Sequence, residues 1–101
     1  MSTPTKTSQT AAKVLDVLAA LLGHFAHGLT PTDLSKATGL DPSAITRYVA
    51  TLEEKGFAER IPETGRIRPS VQFARHAVAV LRSLDAARER IENIQSRLTS
   101  L

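Results

Sequence analysis

The fold is decided by residues 29–55, LTPTDLSKATGLDPSAITRYVATLEEK, which carry the signals of two short helices joined by a tight turn. Thr30 is a favourable N-cap for the first helix. Pro31 is a favourable first helical residue, because the N–H that proline lacks would have no helical partner there. Gly39 is expected to end this helix, since glycine adopts the left-handed backbone without a Cβ clash.

The same start signal is repeated by Asp41 and Pro42, only two residues after that glycine. The second helix is therefore expected over residues 42–55, and Gly56 ends it. Two capped helices around a glycine turn are typical of the helix-turn-helix motif, whose second helix enters the major groove of DNA. Apolar residues recur at a spacing that lets both helices face one core. They are Leu34, Ala37, Leu40, Ile45, Val49 and Leu52.

A short two-stranded hairpin is predicted directly after the second helix, over residues 57–69. Residues 62–65, Pro-Glu-Thr-Gly, have the composition of a turn. A two-stranded ribbon alone is only marginally stable. We therefore expect Phe57, Ile61 and Ile67 to pack against the helices. A hairpin in this position is a wing.

Residues 1–8 are small and polar, and we expect a flexible N-terminal arm. The winged helix-turn-helix domain is predicted over residues 9–69. It starts with a helix that ends near Leu22, whose apolar stripe is wider than one core contact needs. Part of that stripe is available to a partner chain. Phe25 and Leu29, in the loop that follows, are expected to fill the core.

From Val71 onward the sequence contains no glycine or proline, so one long helix is predicted over residues 70–101. A heptad with Ala74 at position a produces a long seam, in which the polar Arg88 sets the register at a cost in stability. A stripe of this length exceeds what the small domain can bury, and homodimerisation explains it better than a helix folded back on its own domain. The predicted dimerisation residues are Ala74, Ala77, Val78, Leu81, Leu84, Arg88, Ile91, Ile94 and Leu98. The predicted fold class is mainly α with a small β-hairpin, a winged helix-turn-helix followed by a long dimerisation helix.

The composition supports one globular domain with a polyanionic partner. The 101 residues are 42% hydrophobic and carry a net charge of +3, which suits DNA without proving it. The absence of cysteine excludes disulfides and cysteine-based zinc sites. We expect neither a membrane span nor a secretion signal, and hence a cytoplasmic location.

No arrangement of side chains indicates an enzyme, a cofactor or a metal site. His24 and His27 lack further ligands nearby and are interpreted as loop residues. The acidic residues are explained by helix caps and solvated faces, and no nucleophile is paired with a base. We therefore expect a protein that binds and does not catalyse.

These residues resemble the N-terminal DNA-binding region of the IclR family of bacterial transcription regulators. The likeness is carried by LSKATGL at 34–40, by Ser43 with Arg47, by TLEEKGF at 51–57, and by ETGR at 63–66. The final helix resembles the family's linker helix, which takes part in dimer formation. Family members carry an effector-binding domain after that helix. Because this chain stops at residue 101, we expect no small-molecule effector.

Spacing and resemblance point to one surface for double-stranded DNA, with the second helix in the major groove and the wing on flanking backbone or minor groove. Arg47 can donate a bidentate pair to guanine, and Ala44 can pack on a thymine methyl. Arg66 and Arg68 are expected to reach the minor groove or phosphates. The predicted DNA-binding residues are Thr30, Thr32, Lys36, Ser43, Ala44, Thr46, Arg47, Tyr48, Thr64, Arg66 and Arg68.

Two other functions fit the same sequence. One is a protein-interaction module, in which the helices bind a protein partner and the final helix forms a hetero-coiled-coil. The other is a nucleoprotein that binds DNA without regard to sequence. The positive charges on the recognition helix and wing favour DNA over a protein partner.

Overall fold

The computed structural model describes residues 4–100, and these residues form four helices and one two-stranded antiparallel sheet. The order is α1 (Gln9–Leu22), α2 (Pro31–Thr38), α3 (Pro42–Glu54), β1 (Ala58–Arg60), β2 (Ile67–Pro69) and α4 (Val71–Thr99). The predicted mainly α fold, a winged helix-turn-helix with a small β-hairpin and a long C-terminal helix, is confirmed. Residues 1–3 of the predicted arm and residue 101 of the predicted final helix lie outside the described residues. One unit ends at Ser70 and a second begins at Val71.

Side-chain caps set the starts of the two motif helices. The carboxylate of Asp41 accepts from the N–H of Ala44 at 2.9 Å and caps α3. At α2, the Thr30 hydroxyl oxygen accepts from the N–H of Asp33, and the Asp33 carboxylate accepts from the N–H of Thr30, both at 3.1 Å. This reciprocal capping box satisfies two N–H groups that would otherwise lack helical partners. Gly39, with φ +74°, ends α2 as the sequence predicts.

The core of the N-terminal unit lies where α1 packs against both α2 and α3. Its buried members are Val17, Leu21, Leu34, Ile45, Val49, Leu52, Ala58 and Ile67. Two predicted core residues lie elsewhere. Ala37 is exposed, because the narrow buried face of the short α2 is occupied by Leu34. Phe25 is 39% exposed, since the loop turns back through a bond from the Gly28 N–H to the His24 carbonyl and directs Leu29 towards the core.

The wing is anchored to the segment that precedes α2. Leu29 and Ile67 exchange two backbone hydrogen bonds, of 2.8 and 2.9 Å, in an isolated antiparallel bridge. Gly28 makes this approach possible: its φ is +68°, and a Cβ there would lie 2.6 Å from the Ile67 carbonyl oxygen. The start of α2 and the second wing strand are therefore neighbours.

Within the wing, Ala58, Glu59 and Arg60 pair with Pro69, Arg68 and Ile67 respectively. The connecting turn closes through the N–H of Gly65, which donates to the Ile61 carbonyl at 2.7 Å. Ile61 and Ile67 are buried as predicted. Phe57 is 39% exposed, so its predicted packing is only partial and Ala58 takes the buried position beside it.

The C-terminal unit is the single helix α4, which has 29 residues. None of these residues, all of which the structure describes, is buried. At 1.5 Å per residue the helix is about 43 Å long. Within residues 4–100, no helix is long and apolar enough to cross a membrane.

Candidate nucleic-acid interface

The two faces of α3 differ sharply. Ile45, Val49 and Leu52 are 0%, 1% and 4% exposed and attach the helix to the core. Ser43, Thr46 and Arg47 are exposed on the other side. The core thus holds α3 rigidly while its polar face remains open to a ligand.

The hydroxyl groups on the open face of α3 already donate within the helix. Ser43 donates to the Asp41 carboxylate at 2.7 Å, and Thr46 donates to the Pro42 carbonyl at 3.0 Å. A hydroxyl whose proton is engaged still has lone pairs that can accept. This surface therefore offers acceptors, which match the amino groups of cytosine and adenine in the major groove.

Arg47 supplies the positive charge of this face. Its guanidinium lies 5.6 Å from the centre of the Tyr48 ring. Within residues 4–100 it has no hydrogen-bond or ion-pair partner, so its donors can serve a ligand. The pKa of Asp41 is below its ordinary value of 3.8, chiefly because of the Ala44 N–H, then the Ser43 hydroxyl, with a smaller effect of Arg47. Asp41 therefore stays ionised at neutral pH.

Ala44 does not belong to the open face. It is 7% exposed and lies on the buried side of α3 next to Ile45. Along a helix, residues at i, i+1, i+4, i+5 and i+8 share one face, and residue 44 begins that series for this core. The predicted contact of Ala44 with a thymine methyl is not favoured by the structure, because only 7% of the residue is exposed.

On α2, Thr32 in the first turn and Lys36 in the last turn are exposed, and the N-cap Thr30 is half-buried. The pKa of the Asp33 carboxyl is lowered mainly by the N–H of Thr30 and then by its side chain, with smaller effects from the positive charges of Arg66 and Lys36. The effect of Arg66 follows from the Leu29–Ile67 bridge, which brings the wing beside α2. The α2 start and Arg66 therefore share one surface.

The wing arginines have different environments. Arg68 donates to the Glu59 carboxylate and lies 5.3 Å from the centre of the Phe25 ring. Arg60 donates to the Gly65 carbonyl at 3.3 Å. Arg66 has no hydrogen-bond or ion-pair partner for its guanidinium in the described part of the chain. Of the three, Arg66 is the one whose donors are available to a ligand.

A separate apolar groove of about 160 Å³ runs between α1, the end of α3 and Phe57. It is lined by Val14, Leu15, Leu18, Thr51, Leu52, Lys55 and Phe57. Leu15 and Leu22 are 61% and 53% exposed. The α1 stripe is thus wider than the core of its own unit requires, as its sequence pattern indicates.

His24 and His27 are exposed in the loop after α1. Among residues 4–100, no group of three or more histidine, cysteine or acidic side chains could hold a metal ion. The site described above consists only of polar and basic groups on α2, α3 and the wing.

Comparison with protein families finds the IclR helix-turn-helix domain at residues 10–62, just over half of the chain. The crystal structure of Pseudomonas aeruginosa HmgR is similar, with a TM-score of 0.65 and 25% sequence identity. The similar region covers 75% of this chain and 31% of the HmgR chain. No curated protein sequence matches the chain.

Proposed function

Because the chain belongs to the IclR helix-turn-helix family, whose domain binds DNA in transcription regulators, we propose that it acts as a homodimer on a specific, two-fold symmetric DNA site. The observation that carries this proposal is the open face of α3. A core-anchored helix presents Arg47, which has no ion-pair partner among residues 4–100, beside two hydroxyl acceptors. This pattern suits base edges in the major groove better than an apolar protein partner.

In this proposal, Arg47 donates to guanine, and Ser43 and Thr46 accept from amino groups of neighbouring bases. The Tyr48 hydroxyl contacts a phosphate beside the helix. Each good bidentate arginine–guanine pair contributes about 1–3 kcal/mol of discrimination against another base. Arg47 is therefore the principal source of sequence preference.

The remaining contacts position the unit on the DNA backbone. Arg66 and Thr64 on the wing, with Thr30, Thr32 and Lys36 on α2, face flanking phosphates or the adjacent minor groove. Arg68 is assigned a supporting role, since its guanidinium is engaged by Glu59 and Phe25. It keeps the wing in place while Arg66 makes the contact.

Homodimerisation is proposed through α4, whose apolar side chains are exposed, with the α1 groove as a second surface between copies. A two-fold dimer places two recognition helices on half-sites one helical turn apart, about 34–36 Å, and predicts a palindromic site. The protein would act where chromosomal DNA is accessible, in the cytoplasm.

The test is selection of genomic DNA fragments on the purified protein, followed by sequencing of the retained fragments. We expect a palindromic site to be enriched. Arg47→Ala should abolish the preference at one position of each half-site, with a loss of about 1–3 kcal/mol in specific binding. Arg82→Ala, which changes the net charge equally but lies on α4, is the matched control and should retain the site.

Two outcomes would reject the proposal. Retention of no fragment would favour the protein-interaction function. Equal retention of all fragments, by both variants, would favour a nucleoprotein that binds DNA without sequence preference.

A further inference from the structure

A small cleft, here called the 27–66 cleft, separates the loop after α1 from the tip of the wing. It has a volume of about 300 Å³ and is lined by Ala26, His27, Ile61, Thr64 and Arg66. Among the described residues, none that line the cleft carries a carboxylate. Since Arg66 also shares a surface with the start of α2, the cleft extends that surface to the loop that contains His27.

The close approach of Gly28 to the wing holds His27 beside Arg66. A Cβ added at Gly28 would lie 3.2 Å from the Cβ of Arg66, so the loop backbone passes directly beside the base of that side chain. The next residue, Leu29, is fixed to Ile67 by the two hydrogen bonds of the bridge. His27 is exposed and Arg66 is half-buried. Backbone contacts therefore keep the imidazole and the guanidinium at the same cleft.

The polar groups that the wing contributes to the cleft are donors. The Thr64 hydroxyl oxygen accepts from the N–H of Arg66 at 3.2 Å, which leaves the hydroxyl proton for a ligand. The Ile61 carbonyl already accepts from the N–H groups of Thr64 and Gly65, at 3.3 and 2.7 Å. The guanidinium of Arg66 has no hydrogen-bond or ion-pair partner within residues 4–100. Such a lining suits an anion.

The two histidines of the loop have different charged neighbours. His27 shares its cleft with Arg66. The charge of Arg66 is felt by Asp33 at the start of α2, where the Asp33 carboxylate belongs to the capping box. His24 lines another cavity, between α1 and α2, together with Asp16 and Asp33. A positive charge on His27 therefore meets another positive charge, whereas one on His24 meets carboxylates.

We propose that the 27–66 cleft binds one phosphate of the DNA backbone, and that protonation of His27 makes the affinity for DNA depend on pH. This inference rests on the proposed function and adds a contact and a form of regulation to it. Histidine side chains ordinarily change charge between pH 5 and 8. A phosphate between imidazolium and guanidinium offsets their repulsion, so phosphate binding and proton uptake favour each other. Affinity for DNA therefore rises as the pH falls through this range.

The first test compares matched substitutions at the two loop histidines. The probe is a DNA duplex of about 30 base pairs of mixed sequence, because phosphate contacts do not depend on sequence. At constant ionic strength, the unsubstituted chain should bind it at least about three-fold more tightly at pH 6 than at pH 8. His27→Gln should lose this gain and His24→Gln should keep it. His76 titrates in all three proteins and cancels in the comparison.

Arginine at residue 27 separates the effect of charge from that of packing. Because arginine stays protonated, His27→Arg should bind at pH 8 within about two-fold of the affinity that the unsubstituted chain has at pH 6. Its remaining pH dependence should equal that of His27→Gln. An arginine variant as weak as the glutamine variant at pH 8 would mean that His27 acts through packing, and would overturn the inference.

The NMR signals of the His27 ring identify the ligand. They should shift when the duplex is added, and much less when inorganic phosphate is added at the same ionic strength. Saturation by inorganic phosphate, with no response to the duplex, would overturn DNA as the source of the phosphate group.

Failure of this inference and failure of the proposed function give different results. Equal gains at low pH in the unsubstituted chain and in His27→Gln, with a palindromic site still enriched, would overturn the cleft and keep the function. A pH dependence that is lost in His27→Gln, with no site enriched from genomic fragments, would keep the cleft and reject sequence-specific binding. A protein that binds no duplex at either pH would overturn both.

Discussion

The guanidinium of Arg68 donates two hydrogen bonds to the same carboxylate oxygen of Glu59, from Nη2 at 2.9 Å and from Nε at 3.2 Å. The two residues face each other directly across the wing strands. On its other side, Arg68 lies 5.3 Å from the centre of the Phe25 ring. One side chain thus connects both wing strands to the loop after α1.

We expect this contact to contribute to folding more than to DNA binding. A double-mutant cycle of Arg68→Ala and Glu59→Ala, measured by urea unfolding, should give a coupling free energy of about 0.5–1 kcal/mol. Both side chains are partly exposed, at 23% and 34%, so solvent screening limits the value. The coupling should fall in 1 M salt. A coupling near zero at low salt would mean that the pair does not stabilise the wing.

For Arg66 the expectation is the opposite. Its guanidinium has no partner within residues 4–100, so Arg66→Ala should leave the free energy of unfolding within about 0.5 kcal/mol. It should weaken DNA binding uniformly across sequences and reduce the slope of log affinity against log salt by about 1. Arg60→Ala, whose native side chain is held by the Gly65 carbonyl, is the comparison within the wing. If the Arg66 variant retained the full salt slope, Arg66 would not contact phosphate.

The caps and turns were predictable from the sequence because they depend on neighbours in the chain. Thr30, Asp41 and Gly39 act through bonds or backbone angles within a few residues, and all three have their predicted roles. The bridge between Leu29 and Ile67 joins residues far apart in sequence, and no local pattern indicates it. The sequence shows a glycine at position 28, but the turn that this residue closes with His24 accounts for it equally well.

Two residues of the predicted site, Ala44 and Arg68, have surroundings that no local sequence pattern indicates. Ala44 has no polarity to indicate its face, and only the packing of α3 shows that it is buried. Arg66 and Arg68 have the same predicted role because both are basic and lie near the wing tip. Alternation along a strand would put residues 66 and 68 on the same face. Their environments differ because the register of the ribbon places Glu59 opposite Arg68, and that register is not visible in a local pattern.

Acid should destabilise the motif through its two helix-capping carboxylates. The pKa values of Asp33 and Asp41 are below the ordinary 3.8, chiefly because the backbone N–H groups of Thr30 and Ala44 donate to them. A carboxyl with a lowered folded-state pKa contributes stability that is complete above its unfolded value and is lost as pH falls through the folded one. The contribution should therefore be present at neutral pH and disappear below about pH 4.

Asparagine tests this charge while keeping a capping oxygen. Asp33→Asn and Asp41→Asn should each flatten the loss of thermal stability between about pH 4 and pH 2. Glu63→Gln is the control, since it removes a carboxylate in the exposed wing turn that accepts no capping bond from the part of the chain that the structure describes. If both asparagine variants lost thermal stability between about pH 4 and pH 2 as steeply as the unsubstituted protein, the capping carboxylates would not be the source of the acid sensitivity.

The close approach of Gly28 to the wing leads to the sharpest stability prediction. A Cβ at residue 28 would lie 2.6 Å from the carbonyl oxygen of Ile67 and 3.1 Å from its carbonyl carbon, and these backbone atoms cannot move aside as the end of a flexible side chain could. Gly39 has a similar φ, +74° against +68°, but nothing lies within 4 Å of its added Cβ. The two glycines therefore differ in steric contact and not in backbone conformation. Gly39→Ala should cost only the left-handed strain, about 1–2 kcal/mol.

Gly28→Ala should lower the free energy of unfolding more than Gly39→Ala does, by at least about 1 kcal/mol. In addition to the left-handed strain, the alanine Cβ clashes with Ile67 and opens the Leu29–Ile67 bridge. Amide hydrogen exchange identifies the cause directly. The N–H groups of Leu29 and Ile67, which donate across the bridge at 2.8 and 2.9 Å, should lose protection in Gly28→Ala and keep it in Gly39→Ala. Because this bridge holds the wing beside α2, Gly28→Ala should also weaken DNA binding under conditions where it remains folded. Equal destabilisation by the two alanines, with both amides still protected, would show that the wing does not depend on the close approach at Gly28.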